Sequence, residues 1–264
     1  MSLLNDLKNI ANQAAEKALK MFSSKESWRI VGKHGRDDTR LVDKTVEDFI
    51  VNIIFEKYDA VVITEERGII KRTDNPQYIF VVDPLDGSYN FIKGIPFTSI
   101  SIAVAEYSEN PRSKNVFVGV VKDVFRGDIF CAEKGQGVYV NEKPLEPREV
   151  PKALMISGYF NENSVEPFMK VYYGLGLPKV RTLGSAALEL CYTSLGTFDA
   201  FVDVRGFLRV VDISAGVFIV REAGGYVVDL NGNDLDYSLY ERNGIALIAS
   251  LKKELIDKAI SALK

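Results

Sequence analysis

A chain of 264 residues makes one large domain or two halves sharing a core, and at that length roughly 70–75% of the unfolded surface is buried without a disulfide or metal staple. The hydrophobic share of 47% and charged share of 26% are ordinary globular values. A net charge of −3 argues against general nucleic-acid binding, which demands a basic excess, and no apolar run approaches the roughly 20 residues that span a bilayer.

Met1 to Lys25 is too polar for a signal peptide. Leu4, Leu7, Ile10, Ala11, Ala14, Ala18 and Met21 fall at helical spacing and predict an amphipathic helix. A second helix fits Leu41 to Tyr58, with Val46, Phe49, Ile50, Ile53, Ile54 and Tyr58 on one face. Asp59 to Ile63 reads as a short buried strand ending at Thr64-Glu65-Glu66, and Tyr78 to Val82 as a second that ends on Asp83. Ser99 to Glu106, Val116 to Asp123 and Gly127 to Glu133 continue as strands. Lys71 to Gln77 is a polar loop whose place relative to any site the sequence leaves open.

Three prolines between Pro144 and Pro151 mark a seam, dividing the chain into an N-terminal α+β half over 1–147 and a C-terminal half over 148–264. The second half reads as strand (Leu154 to Ser157), helices (Ser164 to Tyr173, Ala186 to Leu195), strand (Ala200 to Val204), helix (Ile213 to Ala223), short strands and a terminal helix from Lys252. The class is α+β with at least two sheets, without the regular alternation of a barrel. Cys131 and Cys191 lie in apolar surroundings and read as buried free thiols, which places the chain in the cytoplasm. A single histidine, His34, excludes multi-histidine zinc sites. Any metal chemistry here is carboxylate chemistry.

The most informative stretch is Val81-Val82-Asp83-Pro84-Leu85-Asp86-Gly87-Ser88. A buried strand delivers two carboxylates as the chain leaves the sheet. Pro84 stiffens the turn between them, Gly87 lets backbone approach a ligand, and Ser88 can cap the helical turn that follows. Amides at such a helix start favour phosphate. The same string also serves as an ordinary strand-ending turn. An EF-hand is excluded, because Gly94 stands where the loop needs its terminal Glu, and there is no phosphate-binding Walker string. Glu65 and Glu66 end the adjacent strand, within reach of the same edge, or form a solvated acidic turn. Asp212 follows apolar residues at a helix start, where it is either a ligand or an N-cap.

In combination, Glu65-Glu66, Asp83-Pro84-Leu85-Asp86-Gly87-Ser88 and Asp212-Ile213-Ser214-Ala215-Gly216 resemble the three signatures of the inositol monophosphatase family, in order and spacing. Gly184-Ser185-Ala186-Ala187 resembles that family's substrate loop. Asp203-Val204-Arg205-Gly206 is most similar to the archaeal branch acting on both inositol-1-phosphate and fructose-1,6-bisphosphate. The resemblance implies a layered α-β-α-β-α sandwich with two sheets and Mg²⁺-dependent hydrolysis of a small-molecule phosphate monoester. It also implies two to three Mg²⁺ ions and a homodimer or tetramer. Glu65, Asp83 and the Leu85 carbonyl would hold one ion; Asp83, Asp86 and Asp212 a second; Glu65 would reach a third through water. Asp43 matches the family acid that hydrogen-bonds the hydroxyl of the central motif, so Asp43 and Ser88 would orient and deprotonate the attacking water, with Glu65 beside them. Gly87 and Ser88 amides would hold the phosphate, and Asp86, Gly184, Ser185, Ala186 and Asp212 would adjoin the substrate.

Ser88 replaces the family's usual threonine and keeps the hydroxyl, while Val211 replaces a common tryptophan. Arg205 stands where animal relatives carry a glutamate; an arginine only donates and suits a phosphate. Arg205, with Arg181, therefore predicts a substrate bearing a second phosphate. Two other readings stand beside this one: a phosphatase of 3′-phosphoadenosine nucleotides, and a relative acting mainly by docking to a protein partner.

Overall fold

The computed structural model describes residues 2–22, 24–34, 37–146 and 153–264. In chain order the elements are α1 (Leu3–Phe22), β1 (Ile30–His34), β2 (Asp37–Arg40), α2 (Leu41–Lys57), β3 (Ala60–Thr64), β4 (Gly68–Lys71), β5 (Tyr78–Asp86), α3 (Ser88–Lys93), β6 (Ser99–Glu106), β7 (Val116–Asp123), β8 (Ile129–Glu133), β9 (Val138–Val140) and β10 (Lys143–Pro144). After residues 147–152 come β11 (Met155–Tyr159), α4 (Val165–Gly174), β12 (Lys179–Arg181), α5 (Ala186–Ser194), β13 (Ala200–Leu208), α6 (Val210–Glu222), β14 (Tyr226–Val228), β15 (Ile245–Ser250) and α7 (Lys253–Leu263). The expected seam, Pro144 to Pro151, thus begins on the last residue of β10, and its boundary at 147/148 lies outside the described residues.

β10-β9-β8-β7-β6-β5-β3-β4 form an eight-stranded sheet, and β12-β11-β13-β15-β14 a five-stranded one. In the large sheet β3 and β5 run parallel, so the chain leaves both at the same edge. Strand periodicity explains the layering. Phe80 and Val82 of β5 pack with Leu7, Ile10, Val46 and Ile50 of α1 and α2. Ile79 and Val81 face the other way, into a core shared with α5, α6 and Phe201 and Leu247 of the second sheet. The second sheet's outer face, with Val202 and Ile248, is covered by Phe168 of α4 and Ile256 of α7. The order is α-β-α-β-α, the sandwich expected from the sequence. Strands buried on both faces read as continuous apolar runs rather than as alternation.

α5 and α6 approach closely in the central layer. A Cβ on Gly216 would lie 2.8 Å from Leu190 Cβ, so a larger residue there would push the two helices apart. Sequence patterning missed the β1–β2 hairpin and the short strands β4, β9 and β10. The helix expected from Ile213 starts three residues earlier, at Val210. Gln77 N–H donates to the Asp59 carbonyl, before the start of β3. The Lys71 to Gln77 loop therefore sits at the end of the sheet opposite Glu65 and Asp83 and does not cover them.

Candidate active site

β3 and β5 deliver Glu65, Asp83 and Asp86 at one sheet edge, and two helix starts bring Asp43 and Asp212. Arg40-Leu41-Val42-Asp43 and Arg209-Val210-Val211-Asp212 are near-copies, and each opens a helix with Arg at the N-cap and Asp two residues inside it. Asp43 Oδ2 accepts the Arg40 backbone N–H at 3.2 Å, and Asp212 Oδ2 that of Arg209 at 2.7 Å. Carboxylates in the first turn also meet the positive end of the helix dipole. Asp212 is thus a third-position acid rather than the N-cap.

The acids share one electrostatic environment. Burial pushes Asp83 well above the usual carboxylate range, and Glu65, Asp86 and Asp212 push it further. Glu65 is raised by burial and by Asp212, against the opposing pull of Arg209. Burial drives Asp86 up to about 7, with Asp212 adding to it. Asp43 is pushed up to about 8 by burial and by Glu65 and Glu66. An acid raised by its neighbours' charges lies close to them.

Their other contacts show what holds them. Asp83 Oδ1 accepts the Leu85 N–H at 3.0 Å, while Oδ2 is buried without a partner. Asp86 Oδ2 accepts from Ser185 Oγ at 2.6 Å, the Ala187 N–H at 2.8 Å and Ser99 Oγ at 3.4 Å. Gly87 is the N-cap of α3 at φ +90°, and a Cβ there would lie 3.0 Å from the Gly184 carbonyl; the turn before α5 thus closes against the turn after β5. Ser88 is the first residue of α3, and Gly87 caps the helix with no side-chain bond, so the expected capping role of Ser88 is not seen. Nor is the expected Asp43–Ser88 hydrogen bond: Asp43 Oδ1 is buried without a partner. Ala186 starts α5, with Ser185 at its N-cap and Gly184 at φ +88°.

Arg205 is held by Asp203, its Nε and Nη2 on a fully buried carboxylate at 2.6–3.2 Å, and lies 4.4 Å from the centre of the Tyr159 ring. Arg181 is exposed on the edge strand β12, with Nη1 on the Val180 carbonyl. The structure does not bring Arg181 to the carboxylates.

Sequence reasoning missed Arg209. Its Nη1 lies 2.6 Å from Glu65, and Nε and Nη2 reach Asp212 at 2.8–3.3 Å. Burial lowers this guanidinium, but Asp212 and Glu65 outweigh it and hold it above its ordinary value. The repeated Arg-x-x-Asp string was the available signal. A cleft of about 510 Å³ takes in Glu65 and Arg209 with Arg67, Tyr240 and Arg242, and none of Asp83, Asp86 and Ser185.

Among the described residues no three acidic, His or Cys side chains are arranged to hold a metal ion as they stand. Arg209 occupies Glu65 and Asp212, and Asp86 is turned to the α5 amide. The donor set nevertheless fits a hard cation: all-oxygen ligands, mutually repelling carboxylates, and two orphaned buried oxygens on Asp43 and Asp83.

A two-sheet sandwich with carboxylates converging at the ends of β3 and β5 and the start of α6 is the architecture of a sugar-phosphate phosphatase. The inositol monophosphatase family model matches residues 3–264. A fructose-1,6-bisphosphatase/inositol-1-monophosphatase of Methanothermobacter thermautotrophicus is 36% identical, covering 97% of this chain and 94% of its own. A Nus factor SuhB of Pasteurella multocida is 33% identical over 97% of this chain and 96% of its own. A solved protein of Pyrococcus horikoshii, described as similar to inositol-1 monophosphatase, superposes with a TM-score of 0.82 at 30% identity over 99% of this chain and 98% of its own. The chain belongs to the inositol monophosphatase family of phosphoric monoester hydrolases. No helix among the described residues is long and apolar enough to cross a membrane.

Proposed function

We propose that the protein hydrolyses phosphate monoesters of inositol and sugars, inositol-1-phosphate and fructose-1,6-bisphosphate, with Mg²⁺ as cofactor. The carrying observation is the convergence of Glu65, Asp86 and Asp212 on Asp83, whose carboxyl they raise in a buried corner where its Oδ2 has no partner. Glu65, Asp83, the Leu85 carbonyl, Asp86 and Asp212 would hold two to three ions. When bound, Mg²⁺ supplies positive charge for the phosphate oxygens and acidifies water.

The chain's own groups do the rest. Gly87 lacks a side chain where the substrate loop closes in, leaving the amides of Gly87 and Ser88 to approach a phosphate. Asp43, with its orphaned Oδ1, accepts a proton, and Ser88 orients the attacking water. Gly184, Ser185 and Ala186 wall the substrate beside Asp86. The Arg205 fork is fixed by Asp203 through Nε and Nη2, which leaves Nη1 to meet a second phosphate. The exposed Arg181 would act only at the rim.

The Nus factor relative supports a second reading, in which this chain also docks to a protein partner. A purely non-catalytic role fits poorly, since a buried carboxylate cluster without a metal is costly. Phosphate release from both substrates, with Mg²⁺ and with EDTA, tests the proposal. Mg²⁺-dependent release from either supports it; no release from both overturns it in favour of nucleotide substrates or partner binding.

A further inference from the structure

Glu189 lies in the first turn of α5, fully buried, and takes no part in the chemistry above. Its carboxylate accepts from Ser157 Oγ at 2.6 Å, from the Leu183 N–H at 3.0 Å, and from the Tyr159 hydroxyl. The Tyr159 oxygen in turn accepts the Gly184 N–H at 2.8 Å. Two successive amides of the turn entering α5 therefore end on Glu189, one directly and one through Tyr159. The same turn gives Ser185 Oγ and the Ala187 N–H to Asp86, and its Leu183 carbonyl accepts from Asn90 Nδ2 at 2.6 Å. The Arg205 guanidinium lies 4.4 Å from the centre of the Tyr159 ring.

We infer that Glu189 and Tyr159 are a positioning pair that sets residues 183–187 and, through them, the orientation of Asp86. The inference rests on the phosphatase reading and names what fixes its substrate loop. A carboxylate buried in a core layer is expensive unless its acceptors are filled. Here three donors fill it, and an apolar residue would pack as well without holding the turn. Burial raises the Glu189 carboxyl, while the Ser157 and Tyr159 hydrogen bonds oppose that rise.

The donor pattern makes conservative changes informative. In Glu189→Gln the oxygen can still face Ser157 and Leu183, but the amide then meets Tyr159 donor to donor. Tyr159 must then turn its hydrogen away from residue 189 and lose that bond. Tyr159→Phe removes one oxygen, keeps the ring under Arg205, and takes from the Gly184 amide its hydroxyl acceptor.

The full chain is titrated with Mg²⁺ alone by calorimetry, and steady-state phosphate release is measured on both substrates. Each variant is expected to weaken Mg²⁺ binding and raise KM by about tenfold, the lower end of what orienting partners of ligating side chains cost, with a smaller change in kcat. Cys191→Ala, buried in the same helix and outside the network, controls for packing: it lowers the melting temperature and leaves Mg²⁺ affinity and KM unchanged. Wild-type-like Mg²⁺ affinity and KM in both variants, with the wild type active, overturns the positioning role alone. So does a Cys191→Ala protein with the same loss. A wild type that neither binds Mg²⁺ nor releases phosphate sinks the phosphatase reading, and this inference with it.

Discussion

Arg209 Nη1 lies 2.6 Å from Glu65 Oε1, tying the start of α6 to the end of β3 across 144 residues of sequence. The same guanidinium holds both oxygens of Asp212, Oδ1 through Nε and Nη2 and Oδ2 through Nε at 3.3 Å. One cation thus offsets two of the carboxylates that raise Asp83, and lowers Asp83 in its turn.

Arg209→Gln leaves those charges uncompensated. The metal-free protein should lose about 1–2 kcal/mol, a partly exposed pair being worth less than a fully buried one. Mg²⁺ should restore much of the lost melting temperature by replacing the missing charge. Thermal unfolding in EDTA and in Mg²⁺ checks this; a variant as stable as wild type in EDTA would count against it.

Asp83→Asn should separate stability from activity. It removes a charge that Glu65, Asp86 and Asp212 all oppose, so the metal-free protein should melt no lower than wild type. Phosphate release should fall by more than about a hundredfold, beyond the loss from an orienting partner, and Mg²⁺ should no longer raise the melting temperature.

Carboxyl groups raised in the folded state make metal-free stability fall with pH. Asp43 is pushed up to about 8 and Asp86 to about 7, against roughly 3.9 for an unfolded aspartate. Between those values the folded chain holds protons that the unfolded chain has released, so their stabilisation is full below about pH 4 and is lost as pH rises through about 7–8. In EDTA the melting temperature should decline from about pH 5 to 8. Apparent Mg²⁺ affinity should rise over the same window, because binding displaces these protons. Calorimetry in buffers of different ionisation enthalpy reads the released protons directly.

Saturating Mg²⁺ should stabilise the wild type through linkage. At a hundred times Kd the gain is about 2.7 kcal/mol, which for a chain of this size amounts to about 5–10 °C. Melting curves over a Mg²⁺ series check it, and a flat series would remove the metal from the account.

Much of this was legible in the sequence because the strands are buried on both faces and carry unbroken apolar runs. β6 and β7 run over Ser99–Glu106 and Val116–Asp123, the limits their sequence pattern sets. Short elements held by pairing rather than by burial, such as β4 and the β1–β2 hairpin, have no such pattern. At the site, the acids stood out by position after apolar runs, whereas their partners did not. Arg209 was marked only by the repeated Arg-x-x-Asp string, and Glu189 looks like any helix glutamate until Ser157 and Tyr159 are seen to meet it. Arg181 shows the converse, a plausible basic residue that the fold leaves at the rim.

The central claim is that these carboxylates form a Mg²⁺ site that hydrolyses phosphate esters. Inorganic phosphate released from fructose-1,6-bisphosphate should be followed for wild type and Asp83→Asn at fixed Mg²⁺, with EDTA added stepwise. The account predicts release by wild type that stops as EDTA exceeds Mg²⁺, resumes when Mg²⁺ is restored, and stays below about a hundredth of the wild-type rate throughout in Asp83→Asn. Release that persists in excess EDTA, or that stays near the wild-type rate in Asp83→Asn, would contradict it.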